Sequence, residues 1–481
     1  MSLGLIGIFL SLAFLIGMAY RGHSVLLLGP LAALIATILS GAPLLASYTQ
    51  VFMPAAAKFI SSFFPLFLAG AIFGQLMTAS GMATRIAGLA ARVLGARFAV
   101  LVTVVATALL TYGGVNGWVV VFTIFPIAMS LFKVADVPRR LMPGAIAFGI
   151  FTFAAAALPG SPQIHNAIPA PFFGTDTFAA PGLSLIGTAI VLGVGMLWLA
   201  HRERTLRAAG EHFDTPTHNE RTGKVDPADL SVVWKSKQTD HDDILRTTTG
   251  QGLLALVPIL AVVATNALMT YVVVPRMDAG YLAEEKFGGV DLKSVAALWS
   301  VTVALVVGCL IVMALNARHV GRLFTEMSEG ARNAVLPIFN TASEVGFGAT
   351  IASLAAFAGI RDGIMGVSDN AVVTSAVSSA TISGVTGSGS GGMTIALEAF
   401  GEQLATMAQQ QGIDMELMHR ATAMAAVSWD SLPHNGAMVT LLLVTGLTHR
   451  ESYKDMFVLT VLIPFIGVAT VIALGLAVGS F

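Results

Sequence analysis

Apolar runs of roughly 18 residues or more recur along the whole of this chain, beginning with MSLGLIGIFLSLAFLIGMAY at the N-terminus. A run of that length matches an α-helix crossing the hydrocarbon of a bilayer, about 20 residues at about 1.5 Å each. Inside hydrocarbon every backbone N–H and C=O must find a partner within the protein, so only helices and closed barrels span it. The runs here are continuous rather than alternating, which selects helices over an outer-membrane barrel. Charged residues make up only 11% of the 481, against roughly 25% in ordinary globular proteins. The chain reads as an all-α polytopic membrane protein.

The first run lacks a basic n-region and an A-x-A cleavage pattern, so it reads as a span rather than a removed signal peptide. Further spans are expected over 24–41, 61–80, 141–175, 183–200, 252–274, 294–314, 333–360, 421–447 and 456–478. Two more apolar regions, 98–133 and 368–411, are interrupted by the glycine-rich tips YGGVNGW and SGVTGSGSGG, and their arms read as re-entrant hairpins. The single cysteine, Cys309, excludes an intrachain disulfide and a thiolate cluster, and in an apolar run it reads as a small buried hydrophobe.

Charge supports this topology. With the N-terminus outside, all but six of the 26 lysines and arginines fall in segments assigned to the cytoplasm; the six are Lys58, Arg276, Lys286, Lys293, Arg361 and Arg420. Reading either hairpin as a single crossing would invert the loops after it; at the first, Lys133, Arg139 and Arg140 would then move outward and weaken that bias.

The two halves repeat. GGVNG is followed by LPGSPQIHN, and TGSGSGG is followed at similar spacing by DSLPHN. Each half carries five spans, a re-entrant hairpin and a broken helix, an odd number of crossings, so the second half enters upside down relative to the first. Inverted-topology repeats of this kind mark secondary transporters. The expected organisation is a first transmembrane repeat over 1–200, a cytoplasmic linker over 201–250 and a second repeat over 251–481. Four histidines lie in the linker, and a solvated connection is favoured over a metal site.

Prolines, glycine, histidine and asparagine in the middle of a span need a use. Ser161-Pro162 and Ser431-Leu432-Pro433 resemble an N-cap with proline just inside a new half-helix, whose free N–H groups could receive a carboxylate without a buried arginine. The hairpin tips would add two further helix starts close to the same point. Candidate substrate contacts are therefore Ser161, Gln163, His165 and Asn166 at the first break, and Ser431, His434 and Asn435 at the second. Asn116 and Gly117 at the first tip, and Thr386, Ser388 and Ser390 at the second, complete the set. The His-Asn pairs suit hydroxyl and carboxylate recognition, or simply satisfy carbonyls freed by the breaks. Acidic residues within the apolar regions are few: Glu344, Asp369, Glu398 and Asp430. Asp430, beside the second break, is the first candidate for a proton carrier and Glu344 the second.

With LPGSPQIHN, TGSGSGG and HNGAM in view, the chain resembles the gluconate permease (GntP) family of proton symporters in the ion-transporter superfamily. The resemblance implies uptake of a hydroxylated organic anion with protons across the inner membrane of a cell, with no cofactor, metal or nucleic acid, and leaves room for a homodimer. The family's fuller proline-glycine break is shorter here, and a short hydroxy acid such as 3-hydroxybutyrate is an open alternative to gluconate. A sodium-coupled carboxylate transporter is the runner-up. A membrane-embedded hydrolase using Ser161, His165 and Asp430 finds no supporting G-x-S-x-G or H-E-x-x-H pattern.

Overall fold

A computed structural model describes residues 3–20, 23–217, 247–433 and 435–481. His434 and most of the linker (218–246) lie outside the described residues. Of the described residues 82% are helical, and none lies in a strand.

The first repeat opens with α1 (Leu3–Tyr20), α2 (Val25–Leu39) and a long α3 (Leu44–Ala79), followed by α4 (Met82–Leu94). The first hairpin is α5 (Ala99–Tyr112) and α6 (Gly117–Val134). Helix α7 (Arg139–Ala157) stops at a break, after which come only short turns, α8 (Ile164–Ala167) and α9 (Ala170–Phe173), before α10 (Pro181–Ala208). The second repeat follows the same plan. Helices α11 (Thr249–Arg276), α12 (Leu292–Leu315) and α13 (Val320–Ser353) precede α14 (Phe357–Met365). The second hairpin is α15 (Ala371–Thr386) and α16 (Gly389–Gln410), the second broken helix is α17 (Met415–Trp429) and α18 (Gly436–Thr445), and α19 (His449–Val478) closes the chain.

Both hairpins are re-entrant. The short turn before α5 packs on α6, bringing the outer ends of the first hairpin together. At the second, Gln411 accepts from the Ala371 N–H at 2.9 Å and donates to the Asp369 carbonyl, tying the end of α16 to the start of α15.

The core is set by residue size. Helix α7 reads MPGAIAFGI through FAAAA, small on every side, and 89% of its apolar window is buried, against 33% for α10 and for α11. Small residues let backbones approach closely without a hydrophobic drive between helices; α5 comes so near that a Cβ on Gly149 would lie 1.9 Å from Thr107 Oγ1. Branched and aromatic side chains on α10 and α11 face outward instead, as lipid contact requires.

The repeats also interlock. Helix α13 packs against α2 and α3, and Asn340 on α13 accepts from the Leu26 N–H at 3.2 Å, supplying an orphan donor in the first turn of α2 that Ser24 leaves uncapped. The two ends of the bundle differ in charge. Arg139, Arg140 and Arg202 gather at one end, bonded to Phe213, Glu451 and Asp455 respectively. The opposite end holds Phe481 against Gly182, with Lys286 in the α11–α12 connection and Lys293 at the start of α12.

Several sequence expectations are corrected. The third span runs from Leu44, so Lys58 lies within helix α3 rather than in a loop, and α10 continues eight residues beyond its expected end at 200. Helix α14 bends 96° away from α13 and does not extend its span to 360. Arg420, expected in an outer loop, is fully buried within α17, as is its neighbour His419. Among the described residues, six helices are long and apolar enough to cross a membrane, seven if the bent pair counts as one span; α1 and α2 are shorter, 18 and 15 residues.

Candidate functional site

The first break follows from its prolines. The residue before proline is driven out of the helical region, and Leu158 accordingly takes φ −65°, ψ 127°. Gly160 then turns at φ +74°, a conformation that glycine adopts without strain, with the Phe178 ring close against its Cα. The carbonyls that α7 loses are taken up one by one. Ser161 Oγ donates back to Ala154 at 2.8 Å, Tyr112 Oη to Pro159 at 3.0 Å, Asn266 Nδ2 to Gly160 at 3.1 Å and Asn166 Nδ2 to Ser161 at 2.9 Å. Arg420 reaches across from the other repeat to the Ala156 carbonyl.

The second break is built alike. Asn435 Nδ2 donates to the Asp430 carbonyl at 2.7 Å, Tyr453 Oη to Ser431 at 3.0 Å, and His449 Nε2 meets the Pro433 carbonyl at 2.9 Å. In each repeat an asparagine clamps the carbonyl five residues before it: Asn166 to Ser161, Asn435 to Asp430. That equivalence aligns Ser161 with Asp430.

The expected N-caps are replaced. Gln163, not Ser161, precedes the first new helical turn, and its side chain donates to Thr111 and Val115 at the first hairpin tip, at 2.7 and 3.2 Å. Asn435, not Ser431, caps α18 by accepting from Ala437 and Met438 at 2.6 and 3.1 Å. Because α8 is only four residues long, the four convergent half-helix dipoles expected from the sequence reduce to those at the tips and at α18.

Around the second tip the arrangement changes character. Ser388 caps α16 through Gly391 N–H at 3.1 Å, and the Gly389 N–H faces the Asp430 carboxylate. A Cβ on Gly389 would lie 2.7 Å from Asp430 Oδ2 and 3.1 Å from His165 Nε2; one on Gly391 would lie 2.0 Å from Glu344 Oε2. Glycine at both positions is therefore what lets two carboxylates and an imidazole close on one turn of backbone. Asp430 and Glu344 are 5% and 6% exposed, and neither has an ion pair among the described residues. Ser431 Oγ donates to Asp430 Oδ1 at 2.8 Å, whereas Glu344 Oε2 and His165 Nδ1 are buried without a hydrogen-bond partner among the described residues. Buried polar atoms are rarely left unpaired, and those that are ask for a ligand, a proton or a moving element.

The first tip shows what is special about the second. There Gly74 of α3 approaches Val115 and Asn116, where at the second tip Glu344 of α13 approaches Gly391. Gly117 packs against Ile150 and Phe151, and the break beside it carries the hydroxyl of Ser161 in place of a carboxylate. The pseudo-symmetric frame holds acid chemistry on one side only.

The sequence-derived residues thus separate. Glu344, Asp430, His165, Ser388 and Ser431 come together, with Ser390 on the same turn and Thr386 bonded to the Ser388 and Ser383 carbonyls. Asn166 and Asn435 have both amide hydrogens engaged by carbonyls, and Asn435 Oδ1 also serves two N–H groups. His434 lies outside the described residues. Glu398 pairs with Lys58, and Asp369 sits at the outer end of the second hairpin. Residues the sequence reading missed are Arg420, Tyr112, Asn266 and Tyr453, all serving break carbonyls; the available signal was a lone polar residue inside an apolar run, as in VVATNAL.

No protein-family model matches the chain. Over 468 residues, 95% of this chain and 96% of the relative, it is 42% identical to a Bacillus subtilis (strain 168) protein named uncharacterized transporter YxjC. The chain belongs to the YxjC family of transporters. This YxjC-family fold is also similar to the crystal structure of the YdaH transporter of Alcanivorax borkumensis, described as having an unusual topology, with a TM-score of 0.51 over 88% of each chain. At 16% identity that likeness concerns the fold alone. The chain is therefore a multi-pass membrane transporter, and its paired breaks and hairpins are transport architecture.

Proposed function

We propose that this YxjC-family protein is a secondary active symporter that carries a small hydroxylated organic anion inward with protons, across the inner membrane of the cell. The anion would be gluconate-like or a short hydroxycarboxylate such as 3-hydroxybutyrate. One observation carries the coupling: two buried carboxylates, Asp430 and Glu344, face the same glycine turn with no basic ion-pair partner among the described residues. An ionised carboxylate buried alone costs far more than a neutral one, so a positive charge must accompany each whenever the site is closed. Protons delivered from one side and released to the other serve that need, with Asp430 as the first carrier and Glu344 as the second. His165 and the Ser388–Ser390 turn stand beside them as substrate contacts. The substrate class rests on the resemblance to gluconate permeases in the motifs LPGSPQIHN, TGSGSGG and HNGAM.

A second reading keeps the same residues and replaces the proton with sodium. Carboxylates, the Ser388 and Ser431 hydroxyls and the tip carbonyls supply oxygen ligands suited to a hard cation, with the His165 imidazole beside them.

The experiment is uptake into proteoliposomes under an imposed pH gradient or an imposed sodium gradient, with labelled gluconate and 3-hydroxybutyrate. Asp430→Asn keeps the shape but not the ionisation. It is expected to abolish accumulation driven by the pH gradient and to leave exchange at equal concentrations measurable. Accumulation by Asp430→Asn against a concentration gradient would remove Asp430 from the role. Uptake by the wild type that follows sodium and ignores pH would select the second reading.

A further inference from the structure

Between α3, α12, α16 and the α11–α12 connection lies a cavity of about 840 Å³. A smaller one of about 210 Å³ adjoins it between α3, α13 and α16, and Ala55, Lys58, Val345 and Glu398 line both. The walls of the larger are mainly apolar, with Phe59, Phe63, Leu298 and Trp299 prominent, and among its lining residues only Lys58 and Glu398 are charged. Two of its lining residues, Val345 and Thr394, stand near the carboxylate cluster along their own helices. Val345 follows Glu344 directly in sequence, and Thr394 donates to the Ser390 carbonyl at 2.8 Å. Glu398 stands eight residues beyond Ser390, about 12 Å along the helix axis. The cavity thus runs beside the helix arm that starts at the second tip, and carries one cation and one anion in its lining.

Lys58 Nζ lies 3.1 and 3.3 Å from the two Glu398 oxygens, and the side chains are 67% and 40% exposed. An exposed pair of this kind adds little to stability and exchanges readily with other ions. Glu398 presents to Lys58 the same group that a carboxylate substrate would present.

We infer that Lys58 forms an outer anion-binding site of the transporter, where the carboxylate of an arriving organic anion displaces Glu398 before moving inward to the tip. The apolar walls take the carbon chain, and the ammonium fixes the charged end at the mouth. This inference rests on the organic-anion reading above. The charge bias of the loops places the mouth, beside Met277 and Phe287, on the outer side of the membrane.

Two variants break the same ion pair and should act in opposite directions. Glu398→Gln frees Lys58 and is expected to lower the KM for external gluconate or 3-hydroxybutyrate; Lys58→Gln is expected to raise it about threefold or more, with kcat little changed in both. A purely structural strut predicts shifts of the same sign, and that result overturns the inference. A second arm needs no transported substrate. Trp299 lines the cavity, so iodide quenching of its fluorescence, taken as the difference from Trp299→Phe, reports the local attraction for anions. At low salt the quenching constant should rise about twofold in Glu398→Gln and fall about twofold in Lys58→Gln, while quenching by neutral acrylamide stays level. If the wild type carries neither acid, the substrate class proposed above fails, and the quenching arm still decides for or against an anion site at Lys58: opposite shifts support it, and equal or absent shifts overturn it.

Discussion

Arg420→Met tests how the two repeats are held together at the site. The guanidinium is fully buried in α17 and donates to the carbonyls of Ala156, Thr177 and Ala179 and to Asn166 Oδ1, all in the first repeat. Methionine fills much of the same volume and donates nothing. The four acceptors do not suffer equally. Thr177 keeps the Gly160 N–H and Asn166 Nδ2, both at 2.8 Å, and Ala179 keeps Ser184 Oγ at 3.1 Å. Ala156 and Asn166 Oδ1 lose the only donor that the described residues supply. Each buried orphan costs about 1–3 kcal/mol, together about 2–6 kcal/mol. Relief from burying the guanidinium, which has no carboxylate hydrogen-bonded to it among the described residues, offsets part of that loss. The expected net destabilisation is about 2–4 kcal/mol. Denaturant titration of the purified protein, followed by tryptophan fluorescence, reads it directly. Asn166→Ala removes another member of the same network, so the double variant should lose clearly less than the sum of the singles. A loss below about 0.5 kcal/mol for Arg420→Met, or strict additivity with Asn166→Ala, would refute the reasoning.

At the second tip, Gly391→Ala places a methyl 2.0 Å from Glu344 Oε2 and so displaces that carboxylate, whereas Gly436→Ala meets nothing within 4 Å. Transport by the first should fall at least tenfold at a stability loss of about 1–3 kcal/mol, and the second should behave as wild type; equal activity in the two would separate Glu344 from function. On the basic end, Asp136 accepts from the Phe213 N–H at 3.1 Å and meets His212 Nδ1 at 2.7 Å, and these contacts, the backbone one foremost, hold its carboxyl below the usual range. A lowered folded-state value means that the contact is intact above about pH 4 and is lost as pH falls through that lowered value. Hydrogen exchange at Phe213, taken relative to a free amide at the same pH, should therefore stay slow from neutral pH to about pH 5 and quicken only under stronger acid. Asp136→Asn should already quicken it at neutral pH, and unchanged exchange in that variant would count against the docking.

Much was legible in the sequence because the bilayer leaves few choices. Apolar length marked most of the membrane helices but not their ends, glycine tips between short arms marked the hairpins, and the repetition of LPGSPQIHN by DSLPHN marked the two halves. Pro159 and Pro162 dictated a break by local sterics alone, with no help from neighbours. What each polar group at the breaks does was decided elsewhere in the chain. Ser161 and Ser431 look like caps by local rules, yet their hydroxyls turn back to the Ala154 carbonyl and the Asp430 carboxylate, and Gln163 and Asn435 take the positions before the new helical turns. Asn166 and Asn435 look like ligands, and only the folded chain shows their amide hydrogens committed to backbone. Arg420 looked like a loop residue because a charge at the end of an apolar run normally seeks water; four carbonyl and amide oxygens from the other repeat satisfy it instead. The asymmetry of the site has the same origin. Local sequence supplies two similar tips and two similar breaks, and it is the packing of α13 against the second tip that sets Glu344 beside Gly391 while Asp430 and His165 close on Gly389. Those meetings join residues far apart in the chain, and no local pattern encodes a distance that only tertiary contact creates.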